Sequence, residues 1–417
     1  MNVEEVELAM GGIERTEPDW APVFFRDEGD RGKKAAFEPF RVDPTRPCCE
    51  LIGRIVSRAE HIDRPEEEVA EGASVAEAGS SDQRQGNVLS MKQRELGRTG
   101  VTTSEIGFGC WTMGGLNWVN GNANGWANVD EDEVTKAIKI AVDSGVNHFD
   151  NADVYGNGRA EQMLARVFDR LGLKTNDYLI ATKVGHFPGT AAHAYEPAHI
   201  RHQCEQSLIN LKRDHIDLYY FHHGSFGEGD MYLDDAAATM DKLVEEGKVR
   251  IKGQSAYSAD DFERVTPRVR PSVFQSWAHA LDDQFVRPGS RVSKLMEETG
   301  ITFVAFSPLA QARLLDKFDP ANPPQFEPGD HRQNSRAFSA EAIAELKPKL
   351  AKLKERFGSS TEDLVAVALN YILAQPRVAC VIPGFRNERQ ATANAGAAGR
   401  YLSDDDVAYV KEALGTV

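Results

Sequence analysis

The sequence predicts an α/β fold, a closed (β/α)8 TIM barrel, preceded by an N-terminal β-hairpin cap and a largely disordered N-terminal extension. Three observations point there. From Met91 onward short β-rich runs alternate with amphipathic helical stretches, and such alternation implies a parallel sheet. The runs number eight, and eight units in ~300 residues favour a closed barrel over an open sheet. Residues before Met91, by contrast, keep no sustained hydrophobic period.

In chain order, residues 1–90 mix acidic clusters such as Glu66, Glu67 and Glu68 with prolines and the polar run EGASVAEAGSSDQRQGN. They read as a disordered or loosely attached tail, or as sequence upstream of a true start at Met91. Residues 91–417 form the barrel domain. QRELGRTGVTTSEIG reads as a hairpin turning at Thr99-Gly100, suited to capping the bottom of the barrel. The strand candidates are 106–110, 147–150, 178–182, 216–221, 249–254, 273–277, 302–306 and 378–382. Seven helical segments intervene, and helical sequence closes the chain. In DEDEVTKAIKIAVDSG, Val134, Ile138 and Val142 recur every four residues and Gly145 ends the run.

Composition narrows the function classes. The net charge of −16 argues against a nucleic-acid partner, which would need clustered Lys and Arg. Roughly nine of those charges fall before Met91, so the barrel is only mildly acidic and an anionic cofactor needs a few local cations. No run approaches the ~18–20 apolar residues that cross a bilayer, so no membrane partner is expected. The first twenty residues lack the basic and apolar regions of a secretory signal. Cys48, Cys49, Cys110, Cys204 and Cys380 form no CxxC pair. A scattered, odd set fits a reducing compartment, and the cytoplasm is the expected location.

In a parallel barrel, chemistry sits where strands end. Asp150 ends the second strand candidate, with Tyr155 five residues on; Lys183 ends the third and His222 the fourth. An ammonium near a phenol stabilises the phenolate and lowers its pKa, and a carboxylate holds the ammonium in place. A histidine can polarise and orient a carbonyl. Together these groups make a proton-donating site for an oxygen that turns negative. Each alone has an ordinary reading: Asp150 as a helix cap, Tyr155 as a rim aromatic, Lys183 as solvated, His222 and His223 as structural histidines. Their conjunction at successive strand ends favours the site. No GxGxxG follows a strand, and no His/Asp/Glu set has convincing metal spacing; His222 and His223 with the distant His186 and His279 are a weak hint only.

FDNADVYGNGRAE resembles the aldo-keto reductase signature around its catalytic Asp and Tyr; IATKVG resembles that family's lysine strand and IDLYYFHH its histidine strand. GKVRIKGQSAYS, FVAFSPLAQARLL and VIPGFRNERQATAN extend the resemblance over about residues 92 to 415. The resemblance implies an NADPH-dependent reductase of small carbonyl substrates. Tyr155 would be the proton donor, Lys183 and Asp150 would tune it, and His222 rather than His223 would position the carbonyl. It assigns Gln275 and Ser255 to the nicotinamide carboxamide, Phe306 to the nicotinamide face, and Ser307 and Leu309 to the pyrophosphate. Gly384, Arg386, Gln390 and Asn394 match the adenosine end, where a guanidinium and helix N-terminal amides suit a 2′-phosphate. Cys110 and Trp111 would border nicotinamide and substrate. Three departures bear on cofactor affinity: Ala256 for a common Asn, Ala393 for a frequent Glu, and Ala310-Gln311-Ala312 for a common Gly-Arg-Gly, with Arg313 a conjectural substitute. The alternative is an NADPH-binding sensor or regulatory subunit of the same fold. Substrate choice would rest on the loops after strands one, four and seven, with Trp111, Trp118 and Trp126 in or beside the first. Oligomeric state is not legible.

Overall fold

The computed structural model describes residues 91–119 and 122–416, so the extension expected over residues 1–90 lies outside the described residues. The hairpin expected at Thr99-Gly100 is present as β1 (Gln93–Glu95) and β2 (Thr102–Ser104), paired antiparallel. Gly97 and Gly100 take the positive φ that its turn requires. Leu96 at the hairpin end is fully buried among the inward side chains of the barrel, including Leu179, Leu218 and Val304. Arg94 then ties the hairpin to the carbonyls of Leu373 and Val378 at 2.8 and 3.0 Å.

The barrel strands are β3 (Phe108–Gly109), β6 (His148–Asp150), β7 (Leu179–Val184), β8 (Ile216–Phe221), β9 (Val249–Ser255), β10 (Val273–Trp277), β11 (Thr302–Phe306) and β12 (Val378–Ile382). They pair in parallel in that order. Parallel bridges Ile106–Val381 and Gly109–Gly384 bring β12 back to the first strand and close the barrel. The first strand is shorter than expected because Cys110 already belongs to a 3-10 turn, Cys110–Met113. The third is shifted: a turn at Thr175–Asp177 delays its start, and it runs on to Val184.

One helix fills each of the first six connections: α1 (Glu131–Asp143), α2 (Arg159–Arg170), α3 (Pro197–Leu211), α4 (Leu233–Glu245), α5 (Ala259–Val269) and α6 (Arg291–Thr299). The seventh holds two, α7 (Ala340–Phe357) and α8 (Thr361–Leu373), and α9 (Glu388–Ala395) and α10 (Asp404–Leu414) follow β12. The two helices of that connection part at Gly358, after which Ser360 and Asp363 form a capping box. In α1, Asp130 caps the amides of Asp132 and Glu133, and Val134, Ile138 and Ala141 face the core.

Strand β8 shows how period two fills both sides of the barrel wall. Leu218 and Tyr220 point into the barrel, whereas Tyr219 and Phe221 pack outward against Tyr195, Ile200 and Met240. The Tyr220 ring fits only because β9 has Gly253 opposite, where an added Cβ would overlap the ring. Gly253→Ala is therefore expected to lower the urea midpoint of unfolding, by an overpacking cost of about 1–3 kcal/mol. An unchanged midpoint would mean that the ring has room to move.

The loop after β3, read from sequence only as rich in Trp, Asn and Gly, contains a second antiparallel hairpin, β4 (Leu116–Val119) and β5 (Asn122–Gly125). It is tied to the loop after β11 by a Gly125–Asp330 bridge and by His331 N–H to the Gly125 carbonyl at 2.9 Å. These two loops span part of the mouth at the C-terminal ends of the strands. Among the described residues, no helix is long and apolar enough to cross a membrane.

Candidate active site

Three strand ends bring Asp150, Tyr155, Lys183 and His222 together. Lys183 is fully buried, and its Nζ bonds Asp150 Oδ1, the Asn151 carbonyl at 2.5 Å and Tyr155 Oη at 3.3 Å. The second carboxylate oxygen of Asp150 accepts from Gln275 Nε2 at 2.8 Å. A buried ammonium is costly unless paired and hydrogen-bonded, and here it is both. Tyr155 is half-buried, with Trp111 stacked on it at 5.8 Å and His222 edge-on at 5.9 Å.

The electrostatics depart from the expectation in one respect. Lys183 was expected to lower the phenol pKa, but burial raises Tyr155 well above its ordinary value, and the Asp150 carboxylate adds to the rise. The reason is that Asp150 already neutralises the ammonium. Tyr155 therefore holds its proton at neutral pH. His222 is shifted in the opposite sense, well below the usual imidazole value, by burial and by His186 and Lys183. Its Nδ1 is buried without a hydrogen-bond partner among the described residues. His223 has both ring nitrogens engaged, Nδ1 accepting from the Ser225 amide at 3.1 Å and Nε2 donating to the Gly185 carbonyl at 2.9 Å. Of the adjacent pair, His222 is the one left for chemistry.

The residues assigned to a cofactor fall along one strip, with corrections. Ser255 is fully buried and its Oγ has no partner among the described residues, so it can receive an amide. Gln275 has its amide nitrogen committed to Asp150, so a carboxamide there would have to meet its oxygen. Cys110 is fully buried in the core, its thiol directed to the Phe108 carbonyl at 3.6 Å; only Trp111 of that pair reaches the mouth. Phe306 ends β11 half-buried. Ser307, Ala310, Gln311 and Ala312 all have positive φ, so the loop keeps a left-handed path without glycine, a strained choice. Leu309 packs on the core. Gly384 lies against Thr112, where a Cβ would come within 2.7 Å. Gln390 and Asn394 brace this loop, Gln390 accepting from the Arg386 amide at 2.9 Å and Asn394 donating to the Gly384 carbonyl at 3.3 Å.

Arg386 donates to the carbonyls of Ala127 and Asn128, and other cations stand near it. Partial desolvation and the charges of Arg332, Arg389 and Arg386 all press the Lys317 pKa down. Arg332 is bound by Asp330 and lies over Trp126 and Phe326 at 4.4 and 4.2 Å. This cationic group was not legible in the sequence: Lys317 and Arg332 sit in the loop after β11, and only barrel closure brings them to Arg386 and Arg389. Arg313 does not join it. Its charge interacts with Glu345 and His279 instead, because it opens the short helical turn Arg313–Leu315. No group of three His, Cys, Asp or Glu among the described residues has metal-binding geometry. Trp126 and His331 pack around Trp111 at 6.0 and 4.7 Å, whereas Trp118 is 59% exposed.

A barrel whose strand ends assemble Asp, Tyr, Lys and His around one mouth defines a class of oxidoreductase. The chain belongs to the aldo/keto reductase family, whose model matches residues 105–414. It is 30% identical to an aldo-keto reductase of Strobilurus tenacellus over 78% of this chain and 92% of that protein. It is 28% identical to an NADP(+) aldo-keto reductase of Schizosaccharomyces pombe, again over 78% and 92%. A probable voltage-gated potassium channel subunit beta of Arabidopsis thaliana is 25% identical over 73% of this chain and 90% of its own length.

Proposed function

We propose that this chain reduces an aldehyde or ketone to an alcohol, with NADPH as hydride donor and Tyr155 as proton donor. The reading rests above all on the buried network in which Asp150 and Gln275 fix Lys183 and Lys183 reaches the Tyr155 hydroxyl. When bound, the nicotinamide supplies a hydride to the carbonyl carbon. The chain's own groups manage the oxygen. His222, kept uncharged by its surroundings, donates a ring N–H to the carbonyl oxygen and turns it toward Tyr155. Tyr155 keeps its proton until charge develops on that oxygen, then gives it up, and the Lys183 N–H 3.3 Å away donates a hydrogen bond to the phenolate left behind. Asp150 holds the ammonium in register throughout.

Ser255 and the oxygen of Gln275 would hold the carboxamide, and the Phe306 ring offers a stacking face. Ser307 and Leu309 would border the pyrophosphate, with Gly384 leaving room for close approach. Lys317, Arg332, Arg386 and Arg389 supply the positive charge that suits the phosphates, including a 2′-phosphate, in an otherwise acidic protein. Lys317→Ala and Arg386→Ala are each expected to raise the Kd for NADPH about tenfold, the worth of a charge-assisted hydrogen bond, and to change NADH binding less than twofold. Fluorescence titration checks this; equal losses for both cofactors would remove the 2′-phosphate assignment and leave these cations to the pyrophosphate. The free, buried Cys110, Cys204 and Cys380 support a cytoplasmic setting.

Oxidation of NADPH followed by absorbance with a panel of aldehydes and ketones tests the activity. The channel subunit among the relatives favours a second reading, a barrel that binds NADPH as a sensor or regulatory subunit. That reading requires saturable binding without turnover across the panel.

A further inference from the structure

Two further polar groups stand at the mouth, apart from the carbonyl site and the cofactor strip. His186 follows β7 and Tyr257 follows β9, and His186 Nε2 lies 3.0 Å from Tyr257 Oη. The His186 ring is centred 4.4 Å from His222, which is itself 5.9 Å from Tyr155. A row of polar rings thus leads from Tyr155 through His222 and His186 to Tyr257. Tyr257 stacks on Trp277 at 6.2 Å and is 42% exposed, so the row ends at solvent.

The chemistry of the outer pair is specific. If Tyr257 donates the shared hydrogen bond, His186 keeps a free Nδ1–H and the phenol oxygen can accept; if His186 donates, the phenol O–H is free and Nδ1 can accept. In either tautomer the pair presents one donor and one acceptor. A hydroxyl complements both, whereas an ether or a carbonyl oxygen uses only the donor. Burial, with His223 and Lys183 nearby, holds the His186 pKa at about 4, and a phenol keeps its proton at neutral pH, so the pair is uncharged. Because the Lys183 ammonium is engaged by Asp150, the pair has no cation to lend a substrate carboxylate.

We propose that His186 and Tyr257 determine specificity by binding a hydroxyl on the carbon next to the reacting carbonyl, so that the substrates are uncharged hydroxy-aldehydes or hydroxy-ketones. The proposal rests on Tyr155 and His222 holding the carbonyl oxygen. The His186 ring meets His222 edge-on, its centre 4.4 Å away, so the pair stands beside the carbonyl station and faces the group on the adjoining carbon.

Steady-state kinetics of the full chain with NADPH and a matched pair, lactaldehyde and propanal, test it, since the two differ by one hydroxyl on that carbon. In Tyr257→Phe and in His186→Leu, kcat/KM for lactaldehyde is expected to fall about tenfold, the worth of one neutral hydrogen bond, chiefly through KM. The fall for propanal is expected to stay below twofold. His186→Gln, which still donates and accepts, should recover most of the lactaldehyde rate. Tyr257→Phe keeps the ring against Trp277, so its folding is not in question. Parallel losses for the two aldehydes, or an unchanged lactaldehyde KM in both variants, would overturn the specificity assignment while leaving the reductase intact. A wild-type protein that binds NADPH but reduces neither aldehyde would overturn the reductase reading and this proposal with it.

Discussion

Tyr155→Phe is expected to lower turnover of any carbonyl substrate about a thousandfold while leaving NADPH binding within about twofold of the parent. The substitution removes one oxygen and keeps the ring, so the stacking of Trp111 at 5.8 Å and the edge contact with His222 at 5.9 Å survive. Lys183 loses its weakest partner and keeps Asp150 and the Asn151 carbonyl. Stability should therefore change little, and the loss should appear in kcat. A variant that turned over at the parental rate would move the proton donor elsewhere, first to His222, whose ring is centred 5.9 Å from that of Tyr155.

Lys183→Met is expected to have the largest effect on stability. Among the described residues it leaves the buried Asp150 carboxylate with only the Gln275 amide donating to its side chain, and breaking a buried pair in this way costs about 3–5 kcal/mol. Chemical denaturation should show a large drop in midpoint alongside loss of turnover. The double variant Asp150→Asn/Lys183→Met should regain part of that stability, because no charge is then stranded, yet remain inactive. If the single variant were as stable as the parent, the pair would not be the anchor of the network, and the fixed geometry at Tyr155 would need another cause.

Much of this is legible in the sequence. The barrel could be read because each βα unit carries its own signal: an apolar strand such as IDLYYF, then a helix with its apolar stripe and an end marked by glycine. Asp150, Tyr155, Lys183 and His222 could be read because each falls at or just beyond a strand end, where chain order already implies proximity in space. The hairpin of Leu116–Val119 and Asn122–Gly125 could not, since LNWVNGNANGWANVD sustains no alternation of apolar residues beyond three positions. Part of its order comes from pairing with Asp330 and His331, some two hundred residues away in sequence. The grouping of Lys317 and Arg332 with Arg386 is of the same kind: each is an unremarkable cation in a loop until the barrel closes. The direction of the Tyr155 shift is not legible in the sequence, which places an ammonium and a carboxylate beside the phenol without showing how closely they pair or how deeply the ring is buried. Asp150 spends that charge, and burial then decides the sign.

Hydride transfer itself is tested by following label from NADPH deuterated at the transferable position of its nicotinamide ring. The wild-type chain would be incubated with this cofactor and a panel of aldehydes and ketones, and the products analysed by mass spectrometry. The expected product is an alcohol carrying one deuterium on the former carbonyl carbon, formed in step with cofactor oxidation and lost in Tyr155→Phe. Tight cofactor binding with no labelled alcohol from any carbonyl would contradict it and leave the sensor as the reading to pursue.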